Sequence, residues 1–138
     1  MNEDFQIVPL SPEYQGRIEG WTAESAQQLL MKLPEISLGS RDLSWVAVRQ
    51  NDPIAVCSIH ATDTGTYSIY TVVKPSERRS GIASLLLAAV LAKPEVQNLS
   101  HIQAFVEVDN IAAQKLLAKS SFSQLGYDEY GRLKYEKR

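Results

Sequence analysis

Cysteine is almost absent: Cys57 is the single one among 138 residues, so the chain cannot form an internal disulfide bridge. A lone cysteine in the apolar run IAVCSIHA is typical of a small buried side chain, and this cysteine usage predicts a cytoplasmic protein. The chain also has no large excess of positive or negative charge. The net charge of −2, with no basic run interleaved with aromatics, argues against nucleic acid or an acidic membrane as a partner.

Long hydrophobic runs are also missing. The longest run, residues 82–92, is too short to span a bilayer, and the acidic start MNEDFQIVPL lacks the apolar core of a signal peptide. The sequence shows no internal repeat, no low-complexity segment and no interdomain linker. We therefore expect residues 1–138 to form one domain that does not interact with membranes.

What the sequence does contain is a succession of strand and helix patterns. β-rich runs predict strands at FQIVPL, LSWVAVRQ, IAVCSIHA, TYSIYTVV, HIQAFVEV, FSQLGY and RLKYEKR. Helices are predicted over residues 12–19, from Thr22 to before Pro34, over residues 81–91 and at IAAQKLLAKS. The turns NDP, TDTG and DEYG separate neighbouring strands, and NDP predicts a hairpin.

The resulting order, β-α-α-β-β-β-α-β-α-β-β, predicts the fold class. Three consecutive strands favour antiparallel pairing, whereas the strand–helix–strand unit over residues 66–108 favours one parallel pair with a right-handed crossover. We therefore expect an α/β fold in which a mixed, mostly antiparallel sheet carries helices on both faces.

The loop ERRSG, residues 77–81, carries the clearest chemical signal. Two arginines and a serine stand directly before Gly81, and an almost wholly apolar helix follows. The first N–H groups of a helix lack intrahelical partners and carry partial positive charge, so they favour a phosphate. Gly81 lets the backbone approach closely, Ala83 is small, and Arg78 and Arg79 add forked donors. The loop therefore predicts an anion site, and the alternative is a solvated loop that caps a core helix.

Two sequence blocks resemble a known family. The run RRSGIA, residues 78–83, matches [Q/R]-x-x-G-x-[G/A], and Val73 and Pro75 precede it as V-x-P. Residues 106–122 match V-x-x-x-N-x-x-A-x-x-L-[Y/L]-x-K-x-G-F, with Ser121 in place of the glycine. In this order of elements the blocks resemble the GCN5-related N-acetyltransferases (GNAT). The resemblance implies the acyl-CoA N-acyltransferase fold, acetyl-CoA as the donor, an amine acceptor and no metal.

The resemblance also implies where the cofactor lies. In the family the strand before the loop is bulged and diverges from the next parallel strand, and the pantetheine arm lies in the gap. The N–H of Val73 would then point at the thioester carbonyl as an oxyanion donor, unless this is a plain buried strand. Asn110 would contact the arm or cap the next helix, and these roles are compatible. The implied cofactor-binding residues are Thr71, Val72, Val73, Arg78, Arg79, Ser80, Gly81, Ile82, Ala83, Ser84 and Asn110.

A general base must take a proton from the attacking amine, because alkylamines are mostly protonated at neutral pH. Some family members place a glutamate five residues before the asparagine, a position that is Phe105 here. Glu107 follows two residues later on the same predicted strand face and is our candidate catalytic base. The alternative is an exposed glutamate near the strand end. His60 and Asp63 are further candidates for the base.

The family usually places a general acid, a tyrosine, where this chain has Leu117. Because a thiol has a pKa of about 8.5, thiolate can leave without a dedicated acid, and water, Tyr70 or Tyr127 could assist. Alternatively, Leu117 and Phe105 indicate a catalytically degenerate module that binds or senses acyl-CoA. A globular domain without any ligand is the third interpretation.

The acceptor amine stays open on sequence alone. In the family, loops equivalent to residues 20–40 line the acceptor side, and Glu24 and Glu35 there would attract a cation. A protein N-terminus, a lysine, a polyamine and an antibiotic are all candidates. The strands near the C-terminus are candidates for pairing into a homodimer.

Overall fold

The structure, a computed structural model, describes residues 5–18, 43–61, 65–77 and 81–137. Seven strands lie within these ranges: β1 (Phe5–Pro9), β2 (Leu43–Arg49), β3 (Asp52–Ala61), β4 (Tyr67–Val73), β5 (Ile102–Val106), β6 (Phe122–Tyr127) and β7 (Leu133–Lys137). The helices are α1 (Pro12–Ile18), α2 (Ile82–Leu91), α3 (Pro94–Gln97) and α4 (Ile111–Lys119), with a 3₁₀ turn at Pro75–Glu77. Within these ranges no helix is long and apolar enough to cross a membrane.

The seven strands form one sheet in the order β1-β2-β3-β4-β5-β7-β6. Every neighbouring pair is antiparallel except β4 and β5, which are parallel and are connected in the chain through α2. The predicted α/β class, with its mixed and mostly antiparallel sheet, is therefore confirmed.

Side chains of the central strands alternate between two apolar layers. Trp45 and Ala47 of β2 belong to the larger core, which also takes in α2 and α4. Val46 and Val48, which alternate with them, pack in a smaller core against Ile18 of α1. Because both faces of β2 are covered, its sequence is apolar almost without interruption. Helices thus lie on both faces of the sheet, as predicted.

The β2–β3 hairpin is confirmed, but its turn is displaced from the predicted NDP. The turn residues are Gln50 and Asn51, both with positive φ (52° and 66°), which is the signature of a tight hairpin turn. Asp52 and Pro53 already pair within β3. The register shifts beside Pro53, which has no N–H to give to the sheet and therefore sits well at an irregularity.

Two further features differ from the sequence prediction. The short helix α3 was not predicted; Pro94 occupies its first turn, where a missing N–H costs nothing. Strand β5 ends at Val106, two residues before the predicted end, because the chain turns towards α4. The helix predicted from Thr22 to before Pro34 lies outside the described residues.

Ser121 shows why the family pattern has glycine at this position. It follows α4 with φ of 71°, a left-handed conformation that side chains with a Cβ adopt at a cost. We expect Ser121→Gly to stabilise the protein by about 0.5–1 kcal/mol in urea unfolding. Ser120→Gly, one residue earlier at φ of −96°, is the matched control and should not stabilise. An unchanged midpoint for Ser121→Gly would contradict this account.

The feature of the fold that matters most for function is the divergence of β4 from β5. Strand β4 pairs with β3 along its whole length, from Tyr67 to Val73. Its pairing with β5 stops after Ser68, whereas β5 continues to pair with β7 as far as Val106. The two parallel strands therefore separate towards their carboxyl ends.

Candidate active site

A cleft of about 270 Å³ opens where β4 and β5 separate. We call it the β4–β5 cleft. Its walls are the carboxyl halves of the two strands, and side chains of α2 and α4 close one side. The lining residues are Ile69, Tyr70, Thr71, Val72, Leu87, Ala104, Phe105, Val106, Glu107, Asn110, Ala113, Leu116, Leu117 and Arg132. The lining is mostly apolar with a few polar groups, which is typical of a small-molecule site.

The backbone of β4 presents polar groups to this cleft. The N–H of Lys74 donates to the carbonyl of Ile54 in β3 (2.9 Å), and the N–H of Tyr67 donates to the carbonyl of His101 beside β5 (3.0 Å). Successive residues of a strand direct their N–H groups to opposite sides, so odd-numbered residues of β4 direct theirs away from β3. The N–H groups of Thr71 and Val73 therefore point towards the separated side of β4.

The gap does not come from a bulge in β4, in contrast to the expectation carried over from the family. The register between β3 and β4 is continuous from Ala55–Val73 to Ala61–Tyr67. The two strands separate because β4 stays paired with β3 while β5 stays paired with β7.

Cys57 lies directly opposite Thr71 in the β3–β4 ladder and is fully buried. Burial raises the pKa of its thiol to about 12, although a hydrogen bond from the Thr71 side chain acts in the opposite direction. The thiol is therefore protonated at neutral pH, and the predicted role of Cys57 as a buried apolar residue is confirmed.

Helix α2 begins beside the carboxyl end of β4. Its N-cap residue, Gly81, has φ of 84° and provides no side-chain cap. The first hydrogen bond of the helix runs from the N–H of Leu85 to the carbonyl of Gly81 (3.2 Å), so the N–H groups of the three residues between them precede the helical ladder. Of the predicted cofactor-binding set, Arg78, Arg79 and Ser80 lie outside the described residues.

Two ion pairs fix the segment that leads into this helix. Arg49 of β2 contacts Glu77 (2.8 Å), and Lys74 contacts Asp52 (2.8 Å). They connect the end of β4 and the 3₁₀ turn to the β2–β3 hairpin. Sequence reasoning did not find these pairs, because they depend on the register of three strands.

Asn110 caps α4 and also lines the cleft. Its side-chain oxygen accepts a hydrogen bond from the N–H of Ala113 (3.1 Å). The N-cap interpretation is therefore confirmed. Contact with a cofactor stays a prediction that the cap geometry does not obstruct.

Glu107, the candidate base, lies on the turn between β5 and α4. It is exposed, it lines the cleft, and its carbonyl accepts from the N–H of Asn110 (3.0 Å). It is one residue past the end of β5 rather than inside the strand as predicted. Leu117 is buried in the cleft wall, at the position where the family pattern usually has a tyrosine.

Of the other candidate groups that lie within the described residues, Tyr70 alone lines the cleft. Its ring stacks on His60, with centroids 5.2 Å apart and planes inclined by 11°. Tyr127 lies on β6, away from the cleft lining, and its side chain is 66% exposed. Asp63, Glu24 and Glu35 lie outside the described residues.

Arg132 is a cleft residue that sequence reasoning missed. It stands immediately before β7, and its guanidinium carbon is 5.1 Å from the centroid of the Phe105 ring. The contact requires β7 to pair with β5, which the sequence order of the strands does not show. The only local signal is the aspartate four residues earlier, in DEYGR.

A protein-family model described as "Acetyltransferase (GNAT) family" matches residues 8–122. The chain belongs to the GNAT acetyltransferase family. The resemblance drawn from the two sequence blocks is thereby confirmed. No protein in the set of curated sequences matches the chain.

Solved structures share the GNAT fold at low sequence identity. An N-acetyltransferase from Staphylococcus aureus Mu50 superimposes with a TM-score of 0.79 at 17% identity, covering 97% of this chain and 98% of that one. A variant of the spermidine N-acetyltransferase SpeG from Vibrio cholerae gives 0.77 at 15%, covering 98% and 93%. A ribosomal-protein-S5-alanine acetyltransferase from Vibrio fischeri gives 0.74 at 17%, covering 99% and 94%. Identities this low establish the fold only.

The described residues of this GNAT chain contain no group of three or more histidine, cysteine, aspartate or glutamate side chains that could hold a metal ion. The charged side chains that line the β4–β5 cleft are the carboxylate of Glu107 and the guanidinium of Arg132, beside the uncharged polar side chains of Tyr70, Thr71 and Asn110.

Proposed function

We propose that this GNAT protein transfers the acetyl group of acetyl-CoA to a primary amine by direct attack of the amine on the thioester. The observation that carries the proposal is the β4–β5 cleft itself. Family membership accounts for acetyl-CoA, and β4 and β5 separate beyond Ser68, so that the N–H groups of Thr71 and Val73 point away from β3 on the side of the gap.

The described residues fit the cofactor in two places. The gap beside Thr71 and Val73 suits an extended arm that pairs with a strand backbone, because their N–H groups point away from β3. The start of α2 suits a pyrophosphate, because its first N–H groups precede the helical ladder and Gly81 contributes no side chain there. We propose that Arg78, Arg79 and Ser80 complete the phosphate site together with Ile82, Ala83 and Ser84.

Acetyl-CoA supplies an activated acyl group, and the residues of the chain then act on charges and protons. The N–H of Val73 donates to the carbonyl oxygen as negative charge grows there. Glu107 accepts the proton released by the amine as the C–N bond forms and the C–S bond breaks, directly or through one water molecule. Thiolate leaves without a dedicated acid, which is consistent with Leu117 in the cleft wall.

Release of free CoA thiol with a panel of amines tests this function. The panel should include polyamines, lysine-containing peptides, peptides with free N-termini, amino acids and aminoglycosides. We expect saturable CoA release that depends on the amine. Tight binding of acetyl-CoA without release for any amine would contradict the transfer proposal.

The second candidate is a module that binds acyl-CoA without catalysis. The observation in its favour is that Leu117 and Phe105 line the cleft wall. Family members often have a tyrosine at the first of these positions, and some have a glutamate at the second. Under this candidate the wild type and Glu107→Gln both bind acetyl-CoA, and neither releases CoA with any amine.

The solved relatives indicate the range of acceptors that the fold serves. Their names refer to spermidine in one case and to an alanine of a ribosomal protein in another. We propose that the acceptor here is likewise an amine of a small molecule or a protein. We also propose that the protein is cytoplasmic and that it binds neither nucleic acid nor membranes. We propose further that it forms a homodimer through its C-terminal strands.

A further inference from the structure

The positively charged side chain of Arg132 lines the β4–β5 cleft but has no role in the proposed transfer. Ala104 and Val106 of β5 point into the core shared with α2 and α4, so Phe105 between them points to the opposite face of the sheet. The guanidinium of Arg132 lies over the ring of Phe105 at 5.1 Å and beside that of Tyr130 at 5.6 Å. Arg132 therefore enters the cleft from the face opposite α2 and α4.

The turn before β7 holds Arg132 in place. Asp128 Oδ2 accepts from Nε of Arg132 (2.7 Å), and Oδ1 accepts from the backbone N–H groups of Arg132 (2.8 Å) and Tyr130 (2.9 Å). Partial burial acts to raise the pKa of Asp128, but these hydrogen bonds and the charge of Arg132 outweigh it and lower the pKa overall. Asp128 is thus an anion whose oxygens are engaged within its own turn.

The outer end of the guanidinium is available to a ligand. Of its five N–H donors, Nε is used by Asp128, and the described residues provide no hydrogen-bond acceptor for Nη1 or Nη2. The side chain is 35% exposed and lines the cleft. The two Nη groups match the two oxygens of a carboxylate in a paired arrangement, which a point charge such as lysine does not reproduce.

The charged side chains of the cleft suggest which group the acceptor carries besides its amine. Among the described lining residues, Glu107 and Arg132 are the two with charged side chains. We propose that Arg132 binds a carboxylate of the acceptor, so that the substrates are amino acids or similar amines bearing a carboxylate rather than polyamines. This inference rests on the proposed function, in which the amine of the same molecule is oriented towards Glu107.

Matched acceptors test the inference directly. Each α-amino acid is compared with two analogues that lack the carboxylate, its carboxamide and its decarboxylated amine. The value of kcat/KM is measured for all three at saturating acetyl-CoA, and the comparison is repeated for a range of side chains. We expect the carboxylate form to be preferred by about 10- to 100-fold, as for a hydrogen-bonded charge pair. Arg132→Gln should bring this ratio close to one without changing the Kd of acetyl-CoA, and Arg132→Lys should restore part of it.

Lys134→Gln is the control, because Lys134 belongs to the same hairpin and is absent from the lining of the β4–β5 cleft. It should leave the ratio unchanged. A wild-type ratio at or below one, a preference for polyamines, or an unchanged ratio in Arg132→Gln would each overturn the inference.

A second readout separates this inference from the proposed function. The Nε–H signal of Arg132 in ¹⁵N-labelled protein is followed during titration with N-acetylglycine and, separately, N-acetylglycinamide, and neither titration requires turnover. A saturable shift with the carboxylate alone, absent in Arg132→Gln, supports the site even if no amine is ever acetylated. No shift with N-acetylglycine, or equal shifts with both compounds, would overturn it.

Discussion

Replacing Gly81 by glutamate should weaken the binding of acetyl-CoA by about 100-fold or more. The first N–H groups of α2 precede the helical ladder and form the proposed pyrophosphate site. A carboxylate at Gly81 competes for these donors and repels the phosphates, and each charged hydrogen bond lost is worth about 1.5–3 kcal/mol. Isothermal titration calorimetry with acetyl-CoA measures the effect.

Backbone strain has to be separated from this electrostatic effect. Gly81 has φ of 84°, so any side chain there costs about 1–2 kcal/mol. Gly65→Glu is a matched control, because Gly65 is exposed, has φ of 82° and has no neighbouring atom within 4 Å of a Cβ. Gly65→Glu should bind acetyl-CoA like the wild type, and Gly81→Asn should bind better than Gly81→Glu. Equal affinity of Gly81→Glu and the wild type would refute the phosphate site at α2.

Glu107→Gln should lower kcat by about 100-fold or more at neutral pH while leaving the Kd of acetyl-CoA nearly unchanged. The side chain lies on the turn after β5, lines the cleft and is exposed, so the substitution removes the base without removing a buried group. Steady-state kinetics with an amine found in the CoA-release screen, alongside calorimetry, separates the two effects.

Glu95→Gln provides the comparison for Glu107→Gln. Glu95 is an exposed glutamate on α3 that is absent from the cleft lining, and its loss should change neither kcat nor affinity. If turnover is unchanged in Glu107→Gln as well, Glu107 is not the base, although the transferase proposal could still hold. A parallel loss of acetyl-CoA affinity would indicate instead that Glu107 supports the cofactor site.

The sequence was sufficient for the class of the sheet, because strand and helix patterns and their order are visible locally. Apolar runs such as IAVCSIHA mark strands covered on both faces, and three strands in succession before the ERRSG loop favour antiparallel pairing. The glycine at position 81 marks the start of α2, and the asparagine at position 110 marks the start of α4. Both residues have the cap positions that these patterns predict.

What the sequence did not predict depends on unusual local backbone conformations and on the order of strands in the sheet. The turn at Gln50 and Asn51 has no glycine to mark it, so the sequence pattern predicts the turn at NDP, residues 51–53, instead. Glu107 was expected inside β5, but the chain leaves the sheet after Val106 to start the cap of α4. Arg132 meets Phe105 only because β7, and not β6, lies beside β5.

The central claim is that acetyl-CoA lies against the odd-numbered residues of β4. Titration of ¹⁵N-labelled protein with acetyl-CoA, followed by amide shifts and hydrogen exchange, tests it most directly. The amides of Thr71 and Val73 should shift strongly and that of Thr71 should become protected, whereas Val72, whose N–H faces β3, should keep the exchange rate it already has. If acetyl-CoA binds and leaves Thr71 and Val73 unchanged, or does not bind to the folded protein at all, the account is contradicted.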